Sequence, residues 1–190
     1  MNWQNIIDLV DKKMMMSEFP ISSDLQFIRN VYGKCGLNLT NFKMHSESVE
    51  YGACSFELNN QVIEYRVSKI TPTKTGQFVT IWKRNKEGIT APFDISDTID
   101  FIVITAKSGD KIGQFIFPKS VLVEKGIITN NGKQGKRGIR VYPPWDVATS
   151  KQAEQTQRWQ TKYFVLIEPE IIPVLELKKN LKGAFQNNSI

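Results

Sequence analysis

The spacing of apolar residues changes near Leu37, and this change constrains the fold more than any other feature of the chain. Before Leu37, apolar side chains recur every three or four residues, as on one face of a helix. After it, β-branched and aromatic residues alternate with polar ones, as in half-buried strands. The pattern therefore predicts helices followed by a sheet.

Two amphipathic helices are predicted ahead of the sheet. The first covers residues 2–16. The second begins after Ser23, a candidate N-cap, and ends before Gly36, whose conformational freedom suits a helix C-terminus. Together they form an N-terminal helical segment, residues 1–36.

The strands are predicted within a sheet-centred core, residues 37–167. Asn59 and Asn60 separate the first two strands and predict a β-hairpin. A glycine-rich segment, residues 129–138, carries no apolar side chain and predicts a mobile loop. The predicted strands are 49–58, 62–70, 77–84, 101–106, 112–117, 139–142 and 163–167.

Two further helices are predicted in the second half of the chain. A short one follows Pro118, and a longer one with a glutamine-rich exposed face covers residues 150–162. Residues 168–190 form a C-terminal tail. We expect one α+β domain over residues 1–190: N-terminal helices packed on a central, mostly antiparallel mixed sheet, with a C-terminal helix.

Composition narrows the classes of function. The 190 residues include two cysteines without CxxC spacing and a single histidine, His45. One histidine excludes multi-histidine metal sites, and isolated cysteines predict reduced packing residues in a cytoplasmic protein. No run approaches the roughly 18 apolar residues of a membrane span. Asp8 and Asp11 in the first apolar segment are atypical of a signal peptide.

Basic residues concentrate in two segments. Residues 66–86 carry six basic and no acidic side chains, and residues 107–140 carry eight basic and two acidic ones, so each segment has a net charge of +6. Because the whole chain is also +6, the remainder is −6. Such polarisation is typical of a surface that binds a polyanion, although lysines that merely solvate strand edges would give a similar count.

Aromatic residues lie among these charges, which favours nucleic acid as the polyanion. Lysine and arginine neutralise phosphates, while aromatic faces stack on bases. Trp82 fits a half-buried strand equally well, whereas Trp145 between Pro144 and Asp146 is better placed for a surface role. The predicted phosphate contacts are Lys74, Lys83, Arg84, Lys119, Lys136, Arg137 and Arg140, and the predicted stacking residues are Tyr142 and Trp145.

Clustered carboxylates leave an enzymatic alternative open. Asp94, Asp97 and Asp100 recur every three residues and could bind Mg²⁺, although aspartates at such positions more often cap turns. Glu57 and Glu64 flank the predicted hairpin turn. Glu57, Glu64 and Asp97 are therefore weak catalytic candidates, whereas a nuclease of the restriction type would need lysine at position 66, where this chain has arginine.

Several motifs resemble the MepB family. They are the succession from Lys69 to Arg84, the Pro92-Phe93-Asp94 triplet, the run from Gly113 to Lys119 and the run from Gly135 to Asp146. The resemblance extends from about residue 37 to residue 167. It implies that the protein is encoded beside a multidrug efflux pump and its repressor. It also implies a similarity to restriction-endonuclease-like folds, although Glu64-Tyr65-Arg66 departs from the catalytic pattern of those folds.

The sequence therefore predicts a protein that binds nucleic acid, DNA in preference to RNA, as an accessory to a drug-efflux operon. We expect no cofactor, apart from Mg²⁺ if the protein cleaves its partner. The alternative is a metal-dependent nuclease or a small-molecule enzyme that uses the clustered carboxylates, with Lys74 or Lys83 holding an anionic substrate.

Overall fold

The computed structural model describes residues 23–34, 36, 37, 39–85, 87–167, 177 and 179–181. These residues form the α+β fold that the sequence predicts. The helices are α1 (Ser23–Lys34), α2 (Lys119–Glu124) and α3 (Lys151–Gln160), with 3₁₀ turns at Val49–Tyr51 and Thr161–Tyr163. The strands are β1 (Leu39–Met44), β2 (Cys54–Leu58), β3 (Gln61–Val67), β4 (Lys69–Thr71), β5 (Lys74–Thr80), β6 (Trp82–Arg84), β7 (Thr90–Pro92), β8 (Phe101–Ser108), β9 (Lys111–Pro118), β10 (Gly138–Val141) and β11 (Phe164–Leu166).

Helix α1 is the second of the two predicted N-terminal helices. Gly36 adopts φ +66°, and the N–H of Leu37 donates to the carbonyl of Tyr32 at 3.0 Å, which closes the helix as predicted. The helix predicted over residues 2–16 lies outside the described residues. Before the sheet, the described part of the chain has one helix, so the second predicted helix is confirmed and the first stays a prediction. None of the helices in the described ranges is long and apolar enough to cross a membrane.

The largest sheet has six strands in the order β1-β2-β3-β8-β9-β11. Only the β3–β8 pair within it is parallel, so the sheet is mixed and mostly antiparallel, as predicted. Asn59 and Asn60 have φ angles of +49° and +68°, which suit the tight turn between β2 and β3. The predicted hairpin is therefore confirmed.

Three predicted strands differ from the observed ones, and the observed β1 and β7 were not predicted. The strand predicted over residues 62–70 divides at Ser68 into β3 and β4, which belong to different sheets. The strand predicted from residue 49 begins at Cys54, because Ser48 and Gly52 adopt positive φ angles around a 3₁₀ turn. The strand predicted over residues 77–84 divides at the buried Ile81, so that β5 and β6 belong to different sheets. Alternation of side chains continues through such a break and does not reveal it.

The six-stranded sheet carries a hydrophobic cluster on each face. Tyr65 and Phe101 belong to the cluster that α1 covers, and Ile102 and Phe115 belong to the other. The second cluster is covered by the three-stranded sheet β10-β5-β4, whose Val79, Ile139 and Val141 point into it. The opposite face of the small sheet, which we call its outer face, points away from this cluster.

The glycine-rich segment that precedes β10 is attached to the body of the protein. The N–H of Lys136 donates to the carbonyl of Ile127 at 2.9 Å, and that of Gly135 donates to Thr129 Oγ1 at 2.9 Å. Next to them, the carbonyl of Arg137 accepts from the N–H of Ile81. These hydrogen bonds hold the segment in place, whereas its lack of apolar side chains predicted a mobile loop.

Candidate nucleic-acid interface

A groove of about 600 Å³ lies between the outer face of β5 and β10 and helix α3. Four of its lining residues are cationic and none is acidic. We call this site the basic groove. Its lining residues are Lys74, Phe78, Lys125, Ile127, Lys136, Gly138, Ile139, Arg140, Tyr142, Ser150, Gln152, Ala153, Thr156, Trp159 and Gln160.

Two aromatic rings lie on the sheet wall of the basic groove. A Cβ atom on Gly76 would lie 2.5 Å from Cε1 of Tyr142, and one on Gly138 would lie 2.7 Å from Cζ of Phe78. Both glycines are therefore required for the close approach of a ring from the neighbouring strand. The rings occupy the space that side chains would otherwise fill.

Helix α3 forms the second wall and is fastened to β10 by side-chain amides. Gln160 is almost fully buried, accepts from the N–H of Tyr142 at 2.9 Å and donates to the carbonyl of Arg140 at 2.9 Å. Gln157 donates to the carbonyl of Pro143 at 2.9 Å. Part of the glutamine-rich face that the sequence predicts as exposed therefore holds α3 against β10.

The four cations of the basic groove differ in how they are held. Arg140 donates to the carbonyl of Gly76 and to Thr71 Oγ1, both at 2.9 Å, so its guanidinium is fixed over the sheet. Lys125 pairs with Glu124 at 2.7 Å. Lys74 and Lys136 are exposed. With no acidic side chain in the lining, the groove has a positive potential that attracts anions.

The structure brings four of the nine predicted binding residues into the basic groove. Lys74 comes from the first basic segment, whereas Lys136, Arg140 and Tyr142 come from the second or follow it directly. The antiparallel pairing of β5 with β10 joins the two segments, with Phe78 opposite Arg140. A pairing between such distant segments explains why a charge count identified the segments but not the surface they share.

The other predicted cations have partners outside the groove lining. Lys83 forms an ion pair with Asp97, and Lys119 Nζ donates to the carbonyl of Asp97 at 2.6 Å. Arg84 Nη1 donates to the carbonyl of Gly88 at 2.7 Å, and Arg137 Nε donates to that of Thr90 at 3.1 Å. None of these four residues is part of the groove lining.

Trp145 lies against the core and does not line the basic groove. Its ring meets that of Phe164 edge-on, with centroids 5.4 Å apart, and it packs against the hydrophobic cluster beneath the small sheet. Trp145 is half-buried, so these contacts favour a packing role, and the predicted stacking role stays a prediction. Flanking proline and aspartate suggested exposure, but they turn the chain back towards the body of the protein.

Sequence reasoning did not select Phe78, Lys125 or Trp159, which also line the groove. Phe78 alternates along β5 with the core residues Gln77 and Val79, so its assignment to the outer face could have been read from the strand period. Lys125 lies within the second basic segment, and Trp159 follows Arg158 in the sequence. Only the fold shows that these residues face Lys74 and Tyr142.

The three clustered aspartates bind the protein's own backbone and side chains. Asp94 accepts from the N–H and the hydroxyl of Ser96, and these hydrogen bonds hold its pKa below the usual value. Asp97 accepts from the N–H of Asp94 at 2.7 Å, and Asp100 accepts from that of Val62 at 2.8 Å. Asp94 and Asp97 thus show the turn-capping arrangement that competed with the metal-site hypothesis, whereas Asp100 binds the backbone of β3.

Glu64 lies in a different environment from Asp97. Its carboxylate is nearly buried and lies 3.1 Å from both His45 Nε2 and Arg66 Nη1. Arg66 is 1% exposed and also donates to the carbonyl of Tyr65 at 2.7 Å. Glu57 is half-buried on the neighbouring strand β2. The two nuclease candidates Glu64 and Asp97 are therefore each neutralised by separate cations.

No group of three or more histidine, cysteine, aspartate or glutamate side chains is arranged to hold a metal ion in the part of the chain that the structure describes. Cys54 is a free, buried thiol, and burial raises its pKa to about 12. Burial likewise raises the pKa of Asp146, which follows Trp145. Cys54 belongs to the packed interior, whereas Asp146 is half-buried.

Comparisons with known proteins point to one family. The family model described as MepB-like matches residues 45–166. The crystal structure of MepB is similar to this chain with a TM-score of 0.67 and 31% identity, covering 76% of this chain and 96% of MepB. A bacterial homing endonuclease, I-Ssp6803I, has a TM-score of 0.42 and 13% identity, with 88% and 99% covered, a likeness too distant to inform function. No curated protein matches the chain.

Proposed function

This chain belongs to the MepB-like family, and we propose that it binds nucleic acid, DNA in preference to RNA, through the basic groove. One observation carries the proposal. Four cationic residues from three separate parts of the chain converge on one groove with aromatic rings in its walls and no acidic residue in its lining. Phosphate neutralisation and base contact are the two requirements of nucleic-acid recognition.

The distribution of cations favours a polyanion over a small anion as the partner. Lys74 and Lys136 are exposed and come from different segments, while Arg140 is fixed between them by its bonds to β4 and β5. Lys125 adds a fourth charge from the end of α2, outside the strand and the loop that carry Lys74 and Lys136. Several separate cations on one groove suit several phosphates of a polyanion, whereas a small anion is bound by donors that all face one point.

The dependence of binding on salt tests this proposal. If all four cations each neutralise one phosphate, log Kd should rise with log salt with a slope of about 3, since about 0.7–0.9 counterions are released per phosphate. We propose to measure the affinity of the full-length protein for DNA and RNA oligonucleotides between about 50 and 200 mM salt. A slope near zero, or no binding to either nucleic acid, would contradict the proposal.

We also propose that the protein is an accessory to a drug-efflux operon, as the resemblance to the MepB family implies. Binding to nucleic acid is compatible with such a role, since an operon accessory has DNA or RNA of the operon within reach. Deleting the gene for this protein and measuring transcript levels of a neighbouring efflux pump would test the role. Unchanged transcript levels and unchanged drug tolerance would contradict it.

A further inference from the structure

We propose that the outer face of β5 and β10 is a stacking platform for unpaired bases, with Phe78 and Tyr142 each taking one base of a single strand. This inference rests on the proposed function and names the form of nucleic acid that the basic groove takes. A base can stack on a protein ring only where it is not already stacked and paired in a duplex. The arrangement of the two rings shows why a single strand is favoured.

Each ring is held on the sheet by a glycine in the neighbouring strand. Tyr142 lies across Gly76 and Phe78 lies across Gly138, at distances that leave no room for a Cβ atom on either glycine. The ring of Tyr51 meets Phe78 edge-on, with centroids 6.2 Å apart, and so supports its orientation. Two rings fixed in this way present aromatic surface to the groove at little cost in side-chain entropy upon binding.

The relative position of the rings excludes bases that remain stacked on each other. Phe78 lies opposite Arg140 in the ladder, so Phe78 and Tyr142 are diagonal neighbours across the strand pair. The backbone positions of diagonal neighbours are about 7–8 Å apart, and the two rings lean away from each other, towards Gly138 and Gly76, so their separation exceeds the rise of about 3.4 Å between bases in DNA. Two successive bases can therefore each contact a ring only after they have separated, which a flexible single strand permits.

The charged residues lie where the sugar–phosphate backbone of such a strand would pass. Arg140 lies beside Phe78 in the ladder, and its guanidinium reaches across Gly76 towards β4. Lys74 and Lys136 line the same groove from the first position of β5 and from the loop before β10. The combination of rings on a sheet with flanking cations is a general solution for binding single strands.

The experiment compares three oligonucleotides of the same length with the wild-type protein. They are a DNA single strand, the same strand in a duplex, and the same strand with abasic residues, which keeps every phosphate and removes the bases. We expect the single strand to bind about 5- to 150-fold more tightly than the abasic strand for each base that stacks. Salt dependence should be similar for the two single strands.

Variants assign the effect to the rings. Tyr142→Leu and Phe78→Leu should each reduce affinity for the normal strand and leave affinity for the abasic strand unchanged. Tyr142→Phe keeps the ring and should bind as the wild type does. Thermal unfolding of each variant shows whether the fold persists, and the abasic comparison needs no variant at all.

The outcomes separate this inference from the proposed function. Equal, salt-dependent binding of all three oligonucleotides would overturn the stacking platform and leave the basic groove as a phosphate-binding site. Tighter binding of the duplex than of the single strand would likewise overturn the stacking platform and leave the basic groove as a phosphate-binding site. Absence of binding to all three would overturn the proposed function itself.

Discussion

The side-chain oxygen of Gln160 accepts a hydrogen bond of 2.9 Å from the backbone N–H of Tyr142, one residue beyond the end of β10. The amide nitrogen of the same side chain donates to the carbonyl of Arg140. Gln160 thus pairs with the open edge of β10 as a further strand would. This contact sets the distance between the two walls of the basic groove.

Replacing Gln160 should therefore weaken both the fold and the groove. Gln160→Leu leaves two part-buried backbone groups without partners, at about 1–3 kcal/mol each, so the free energy of unfolding should fall by about 2–6 kcal/mol. Denaturant titration measures this change. The exposed Gln155 on the same helix provides the control, since Gln155→Leu should change stability by no more than about 0.5 kcal/mol. Equal effects of the two substitutions would show that the contact is unimportant.

Charge reversal within the groove should reduce affinity more than the same change elsewhere. Lys74→Glu with Lys136→Glu removes two groove cations, whereas Lys43→Glu with Lys111→Glu changes the net charge equally at exposed positions outside the lining. The groove pair should lower the slope of log Kd against log salt by about 1.4–1.8. The control pair should leave that slope nearly unchanged, and unfolding curves should show that both variants fold. Equal loss of affinity in the two pairs would assign binding to net charge alone.

The sequence predicted individual elements well because the signals for them are local. The asparagine pair of the β2–β3 turn, Gly36 after α1 and Ser150, whose hydroxyl accepts from the N–H of Ala153, each act within a few residues of their own position. The basic groove depends instead on the pairing of β5 with β10, which are separated by 57 residues between Thr80 and Gly138. No period within either strand specifies that partner, so only part of the site was predicted.

Trp145 illustrates the same limit for side chains. A tryptophan between proline and aspartate gives no local indication of whether its ring meets solvent or Phe164, because that contact comes from a strand some twenty residues later. Trp145→Ala should lower the free energy of unfolding by about 3 kcal/mol or somewhat more, as truncation of large packed aromatic residues does. Trp145→Phe should retain most of the stability. Loss of oligonucleotide affinity at full stability would instead support the surface role first predicted.

Cys54 should be chemically inert in the folded protein. Burial raises the pKa of its thiol to about 12 because a thiolate would lose its hydration, so at pH 8 a fraction on the order of 10⁻⁴ is ionised. Alkylation by iodoacetamide, measured by mass spectrometry in a Cys35→Ser background, should be very slow below the unfolding transition. It should become fast in denaturant, where the pKa returns to about 8.5. Rapid labelling of the native protein at pH 8 would contradict the buried position.

The carboxylates that suggested a nuclease are arranged differently from what the spacing implied. Asp94, Asp97 and Asp100 follow one another closely in the sequence, but their acceptor oxygens face three different donors, two of them in the local turn and the third on β3. Glu64 was selected for its place beside the hairpin turn, and its contacts with His45 and Arg66 come from residues on either side in the chain. Spacing identifies candidate ligands, whereas the direction of each carboxylate is decided by the donors that surround it.

We expect the protein not to cleave DNA or RNA in the presence of Mg²⁺ or Mn²⁺. Hydrolysis of a phosphodiester by such metals requires carboxylates free to coordinate the ion, and the Glu64 carboxylate already faces the guanidinium of Arg66 and the ring of His45. Arginine at position 66 remains protonated and cannot serve as a base. Labelled single- and double-stranded substrates, incubated with each metal, should remain intact under conditions in which the wild-type protein binds them. Cleavage by the wild type that disappears in Glu57→Gln, Glu64→Gln or Asp97→Asn, while binding persists, would instead identify the metal-binding carboxylate and establish the enzymatic alternative.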